Sequence, residues 1–428
     1  MSGFGHVRLS PWFVAGMLGC CYAVAFIDRA LVNVAAAPIK QDIGLSDTQF
    51  GLVSGTAFVV PYVLCGIPFG WLADRTDRRA IIALAIMVWT VMTAACGLAA
   101  SSRGFFAARI GVGLGEAALV PAGMSLLGSS VPASRMARSI AIFLMGSAIG
   151  NAVALLAGGY LLTKMVPTTL PGLGTLAPWQ ALFLAVCPAG VVAAGLVLAL
   201  REPVRAHDAN GSDMRAAIRH IGAHRSAYGF LVGATCCTVM LSQGQAAWLP
   251  LFYMRHFGLQ AGPSAMLVGI MYVLSVPTGQ FAGGVLTDGL RARGVRWAPN
   301  AAIALCGTLA IPPAVIFCIT DRLWVSEAGY VVFSFLVSAT TPNGLLGVQL
   351  LTPRLYQGFT SALLVSIVSL VGVGIGPAAV GLLNDRLFHD EQALGLSLLI
   401  VIVTAGLLGP MLAMMGRQSF SGSVRHPA

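Results

Sequence analysis

Four ionisable side chains stand well inside apolar stretches of this 428-residue chain: Asp28, Arg29, Arg109 and Glu116. A charge at lipid depth costs about 3 kcal/mol or more unless it is paired or solvated, so each is a functional candidate. Two acids and two arginines can form ion pairs, a guanidinium can grip an anion, and a carboxyl can carry a proton. Arg109 and Glu116 are seven positions apart, which on a helix means two turns, one face and about 10 Å along the axis. Asp28 and Arg29 are adjacent, project roughly 100° apart and make poor partners for each other. Their partners are therefore expected on another helix, in a network joining the two stretches. The seven histidines (6, 207, 220, 224, 256, 389 and 426) all fall in connections or tails. Proton handling at depth thus falls to Asp28 and Glu116, and protonating either would free Arg29 or Arg109 for an anionic headgroup. A permanent salt bridge pinning two helices together is the plainer reading. Four buried charges are costly for packing alone, which favours the functional one.

These residues must be held by membrane helices. The chain is 57% hydrophobic and 9% charged, against about 25% charged in soluble domains. Taking about 20 apolar residues per crossing, spans are expected at 12–37, 50–73, 80–100, 104–130, 139–162 and 179–200. A second set is expected at 228–252, 264–286, 298–319, 324–350, 360–383 and 393–415. The first is too long for a signal peptide and contains Asp28 and Arg29, so it is a structural helix. The fold class is all-α integral membrane: twelve helices in two six-helix bundles, 1–200 and 227–428. A linker, 201–226, joins them and carries an amphipathic helix from Asp213 to His224, with Met214, Ile218 and Ile221 opposite Arg215 and Arg219.

Basic residues set the orientation. With the N-terminus inside, seventeen lie on the inner side: Arg8, Arg75, Arg78, Arg79, Arg135, Arg138, Arg201, Arg205, Arg215, Arg219, Arg225, Arg291, Arg293, Arg296, Arg354, Arg417 and Arg425. The outer side holds six: Lys40, Arg103, Lys164, Arg255, Arg322 and Arg386. Both termini are expected in the cytoplasm, in a cell inner (plasma) membrane. The net charge of +10 then reflects orientation and contact with lipid headgroups, with no nucleic-acid partner. The nine cysteines all lie within spans and serve packing. A membrane enzyme would need a nucleophile–base pair or a metal cluster inside the spans. The sequence has neither, nor a nucleotide site, since Gly111-Val-Gly113-Leu-Gly115 follows no strand.

A signature recurs after the second and eighth spans: Gly70-Trp-Leu-Ala-Asp74-Arg75-Thr-Asp77-Arg78-Arg79 and Gly284-Val-Leu-Thr-Asp288-Gly-Leu-Arg291-Ala-Arg293. Glycine allows close helix approach, and aspartate with arginines can lock a cytoplasmic turn. Asp74 is expected to bond nearby arginines or helix-end amides. This pattern resembles the loop signature of the major facilitator superfamily and departs from it at Asp77, where many members have glycine. The resemblance implies pseudo-symmetric bundles, a midplane site between them and alternating access by rocking. Phe26-Ile-Asp28-Arg29 and Arg109-Ile-Gly-Val-Gly113-Leu-Gly115-Glu116-Ala117 look like the Spinster-like subgroup, whose animal members move lysophospholipids or sphingoid-base phosphates. Sugar-acid/proton symporters share much of this first-half pattern.

The expected function is a proton-coupled secondary transporter, acting as a monomer without cofactor, for an anionic or amphiphilic substrate such as a lysophospholipid or sphingoid lipid. A symporter of sugar acids is the alternative, and a non-transporting receptor or scaffold the different class. Candidate substrate contacts are Arg29, Arg109, Asn33, Asn151, Gln243, Trp248 and Asn343, with Gln245, Gln280 and Gln349 as further polar groups. The second half has no ionisable group at midspan, so its lining would be apolar and aromatic (Trp248, Tyr272, Phe333, Phe335), which suits an amphiphile.

Overall fold

A computed structural model describes residues 11–73, 75–132, 135–170, 174–200, 214–353 and 356–423. Eleven helices among the described residues are long and apolar enough to cross a bilayer. The first six are α1 (Trp12–Val34), α2 (Asp47–Ala73), α3 (Arg78–Gly97), α4 (Ser102–Ser130), α5 (Arg138–Lys164) and α6 (Pro178–Ala199). The remaining first-half structure includes a short helix, Ala36–Ile43, and a hairpin pairing Thr168–Leu170 with Gly174–Leu176.

In the second half, the expected span 228–252 is a helix of two pieces. Arg225–Ala246 (α7) ends at a turn over Ala247 and Trp248, and Leu249–Phe257 follows it. Ser242, Gln243 and Gln245 dilute the apolar character of this stretch, and Pro250 lacks the amide a continuous helix would need at the break. Then come α8 (Ala261–Ala292), α9 (Ala298–Ile319), α10 (Leu323–Leu351), α11 (Phe359–Phe388) and α12 (Glu391–Met415). The chain is a multi-pass, all-α membrane protein of the twelve-helix kind.

The backbone separates into two compact units that do not follow the midpoint of the sequence. One comprises residues 1–31 and 60–207; the other comprises 32–59 and 208–428. Helices α1 and α2 thus each pass from one unit into the other.

Between membrane helices there is no hydrophobic driving force, so close packing of small residues replaces it. In the first unit a Cβ on Gly115 would lie 2.7 Å from the Trp89 amide nitrogen, and one on Gly19 would lie 2.9 Å from the Ile142 carbonyl. In the second, Gly279 of α8 sits on Phe335 and Ser338 of α10, where a Cβ would run into the Phe335 carbonyl oxygen and lie 3.0 Å from the Ser338 Cβ. Ser275 donates to Ser334 across the same seam at 2.9 Å.

Among the described linker residues, Met214–Ala223 forms the expected helix. It docks through fully buried Ala217 and through Ile221, and His220 reaches the Leu351 carbonyl at 3.0 Å. Ile218 stays exposed on the same side as Arg215 and Arg219, so the apolar stripe is split between the bundle and the outside. Asp213 lies outside the described residues.

Candidate functional site

The first unit brings the four buried charges together by helix geometry alone. Two turns separate Arg109 from Glu116 on α4, and each meets one of the two adjacent residues of α1. Arg29 bonds Glu116 at 2.5 Å, and Arg109 stands 3.9 Å from Asp28. Three of the side chains are sealed, at 1% exposure or less, while that of Arg29 keeps 22%. Arg29 also lies over the rings of Phe26, at 4.6 Å, and Tyr62, at 4.9 Å. Among the described residues, no donor makes a hydrogen bond of good geometry to either carboxylate oxygen of Asp28. The carboxylate borders a space of about 10 Å³ lined also by Trp89, Thr90, Thr93 and Cys187. A charge so placed is compensated mainly by Arg109, and loosely.

The second unit contains an ion cluster at helix ends. Asp47, 1% exposed, opens α2 behind the Ser46 cap, which bonds the Gln49 amide at 3.2 Å. It accepts two bonds from Arg255, at 2.8 and 3.0 Å, one from Asn384 at 2.6 Å and one from Lys40. Glu391, at 71% exposure, meets the same two cations, at 3.3 Å from Lys40 and 3.0 Å from Arg255. Nearby, the Thr48 amide donates to Asp385 at 2.7 Å and Thr56 donates to the Gly374 carbonyl at 2.7 Å. Gly51 and Gly55 let α2 approach the backbone of α11 at Pro377 and Val373, beside stretches of π-helix at Leu52–Thr56 and Leu370–Ile375.

Sequence reasoning missed this cluster because Lys40, Arg255 and Glu391 lie at span ends. At span ends Lys40 and Arg255 read only as orientation charges. The available signal was the matching depth of two bases and two acids at the ends of four spans.

The other expected contacts are dispersed. Trp248 is fully buried, donates to the Pro377 carbonyl at 2.9 Å and stacks edge-on with Phe50, so it packs α7 against α11 and lines no open surface. Asn343, also fully buried, accepts from Thr287 at 2.6 Å and donates to Ala339, which ties α10 to α8. Asn151 bonds the Ser147 carbonyl at 3.0 Å within its own helix. Gln243, Gln280 and Gln349 are exposed, Asn33 is partly buried, and Gln245 is buried, donating to the Ser242 carbonyl. Phe333 is buried in an aromatic group with Phe317 and Tyr330 rather than at a surface.

The two signature copies differ in structure. After α2, Asp77 caps α3 by accepting from the amides of Arg79 and Ala80, and Arg79 bonds Asp77 at 2.7 Å and the Leu200 carbonyl. Its hydrogen bonds with Arg79 hold the Asp77 carboxyl down at about 2. With φ −65° this position needs no glycine, so the departure from the family pattern supplies a helix cap. Arg78, 3% exposed, reaches the Ser125 carbonyl and Ser129, fixing α3 to α4. Arg75 stacks on Trp71 at 4.0 Å, and Gly70 faces Pro121. Asp74 lies outside the described residues. In the second copy, Gly284, Asp288 and Arg291 all sit within α8, with Asp288 and Arg291 exposed. The expected turn comes later, at Gly294, whose φ is +80°.

Comparison with known proteins agrees with this architecture. The Major Facilitator Superfamily model matches residues 18–377. An MFS-type efflux pump of Mycolicibacterium smegmatis is 27% identical over 94% of this chain and 92% of its own. A protein of Escherichia coli named "Probable L-galactonate transporter" is 23% identical over 62% of this chain and 59% of its own. The crystal structure of a bacterial homologue of the human lysosomal transporter Spinster, inward-facing and unoccupied, superposes with a TM-score of 0.84 at 23% identity, covering 99% of this chain and 100% of that one. Twelve-helix architecture, the capped α2–α3 signature and a family match over most of its length converge: this chain belongs to the major facilitator superfamily of transporters and is not an enzyme.

Proposed function

We propose that the protein is a proton-coupled secondary transporter whose substrate is an organic anion, with an anionic amphiphile such as a lysophospholipid or a sphingoid-base phosphate as the leading class. The observation that carries this reading is the asymmetry of the tetrad. Arg29 is the one charge of the four that keeps exposure, and its partner Glu116 is sealed. An anion arriving at Arg29 competes with Glu116 for the guanidinium, and Glu116 can yield only by taking a proton, because a lone buried carboxylate is strongly penalised. Substrate binding and protonation are thereby linked. Phe26 and Tyr62 offer ring faces beside the anion, which suits a headgroup with an apolar body. Asp28 and Arg109 form a looser second pair through which the proton can be shared. The proton gradient supplies the energy and no cofactor takes part. The protein acts as a monomer in an inner (plasma) membrane with both termini cytoplasmic, the orientation that its basic residues favour.

A second reading, a symporter of sugar acids, is favoured by the likeness to the Escherichia coli protein named for L-galactonate. Flux into proteoliposomes tests both: lysophospholipids, sphingoid-base phosphates and aldonates are offered with and without an imposed pH gradient. Gradient-dependent flux of an acid-headed amphiphile supports the leading reading. Flux of aldonates alone selects the second, and gradient-independent flux of any substrate removes proton coupling.

A further inference from the structure

We infer that the second unit holds a separate binding site for a small monocarboxylate, now filled by the protein's own Glu391. A cavity of about 360 Å³ lies beside the ion cluster, lined by Lys40, Gln41, Arg255 and Glu391 together with Leu45, Leu251 and Met254. That volume is at the lower end of small-molecule sites. The two cations are nearly buried, with 6% and 9% of their side chains exposed. Asp47 beneath them is saturated by Arg255, Lys40 and Asn384. One buried carboxylate facing two buried cations leaves one positive charge unmatched. The Glu391 carboxylate meets it from the cavity side, yet this side chain is 71% exposed and begins a short turn, Glu391–Ala393.

An exposed side chain held by two ion pairs is easily exchanged, since such pairs contribute about 1 kcal/mol or less. A free carboxylate can therefore take the place of Glu391 between Lys40 and Arg255, while leucine and methionine side chains cover a short apolar body. The fitting ligand is a short-chain monocarboxylate. A dianion would exceed the single unmatched charge. The inference stands on the cavity and its charges, and is independent of transport at Arg29.

Carboxyl-labelled hexanoate, with hexanol as neutral control, tests it by NMR line broadening on the purified full-length protein in nanodiscs. Glu391→Gln removes the internal competitor and should tighten hexanoate binding about threefold or more, leaving hexanol unaffected. Lys40→Gln should abolish the carboxylate-specific binding, and Arg29→Ala should leave it unchanged, which separates this site from the proposed transport site. Unchanged or weaker hexanoate binding in Glu391→Gln overturns the inference whatever the other variants show, because this exposed position is not needed for folding. Equal binding of hexanoate and hexanol in both wild type and Glu391→Gln overturns it as well.

Discussion

Arg255→Gln should loosen the α2 end of the second unit by a measurable amount. The guanidinium makes two short bonds to Asp47 and one ion pair to Glu391. Bonds to charged groups contribute about 1.5–3 kcal/mol each, and stranding a buried charge costs more. Asp47 is not stranded here, because Lys40 and Asn384 remain. The net loss is therefore about 2–3 kcal/mol, which raises the population of the open form roughly 30- to 140-fold. Hydrogen exchange in nanodiscs reads that population directly, since amides exchange from locally opened states. The amides of residues 47–56 should exchange faster by this factor, while those of α3 and α4, in the other unit, should not change. Glu391→Gln, at an exposed position, should accelerate the same amides by less than about fivefold. Identical exchange in wild type and Arg255→Gln would refute the reasoning and reduce the cluster to surface decoration.

Gly51→Ala places a methyl 2.5 Å from the Pro377 carbonyl oxygen and 2.9 Å from the Ala378 Cα, with only backbone there to yield. It should lower thermal stability by about 1–3 kcal/mol, read as a lower melting temperature, whereas Gly128→Ala, which meets open space, should not. Arg29→Ala should abolish binding of anionic substrates in an equilibrium assay, because the proposed headgroup loses its paired charge; unaltered affinity would sink the site. Asp77, held at about 2 in the folded protein, contributes stability above its unfolded value near 4 and loses that contribution as pH falls through its folded value. Melting curves of Asp77→Asn should lie below wild type at about pH 6, and the gap should narrow as pH falls below about 4; a constant gap would contradict the cap.

Lipid makes some of this structure legible from sequence and hides the rest. The helices were readable because a bilayer core demands long apolar runs, and the tetrad because charges inside such runs have few explanations. Its cross-helix pairing followed from the spacing of Arg109 and Glu116 together with the adjacency of Asp28 and Arg29. At span ends the same logic fails. A charge there is ordinary, so Lys40, Asp47, Arg255 and Glu391 stand out only by their matching depth at the ends of four spans. Trp248 and Asn343 were candidate substrate contacts because polar and aromatic groups in spans suggest a lining. Buried carbonyls and hydroxyls also need partners, and Pro377 and Thr287 claim them. The second signature copy looked like a turn because its residues match the first, yet nothing in Gly284 to Arg291 stops a helix, and α8 runs through it.

The central claim is that Glu116 exchanges Arg29 for a proton during transport. Glu116→Gln keeps the shape of the side chain and removes the titration. Reconstituted in proteoliposomes beside Asp28→Asn, it should retain exchange of labelled for unlabelled substrate and lose acceleration by an imposed pH gradient. Full gradient-driven uptake in Glu116→Gln would contradict the account, and the same result in both single variants would leave the four charges as packing, with the proton carried elsewhere.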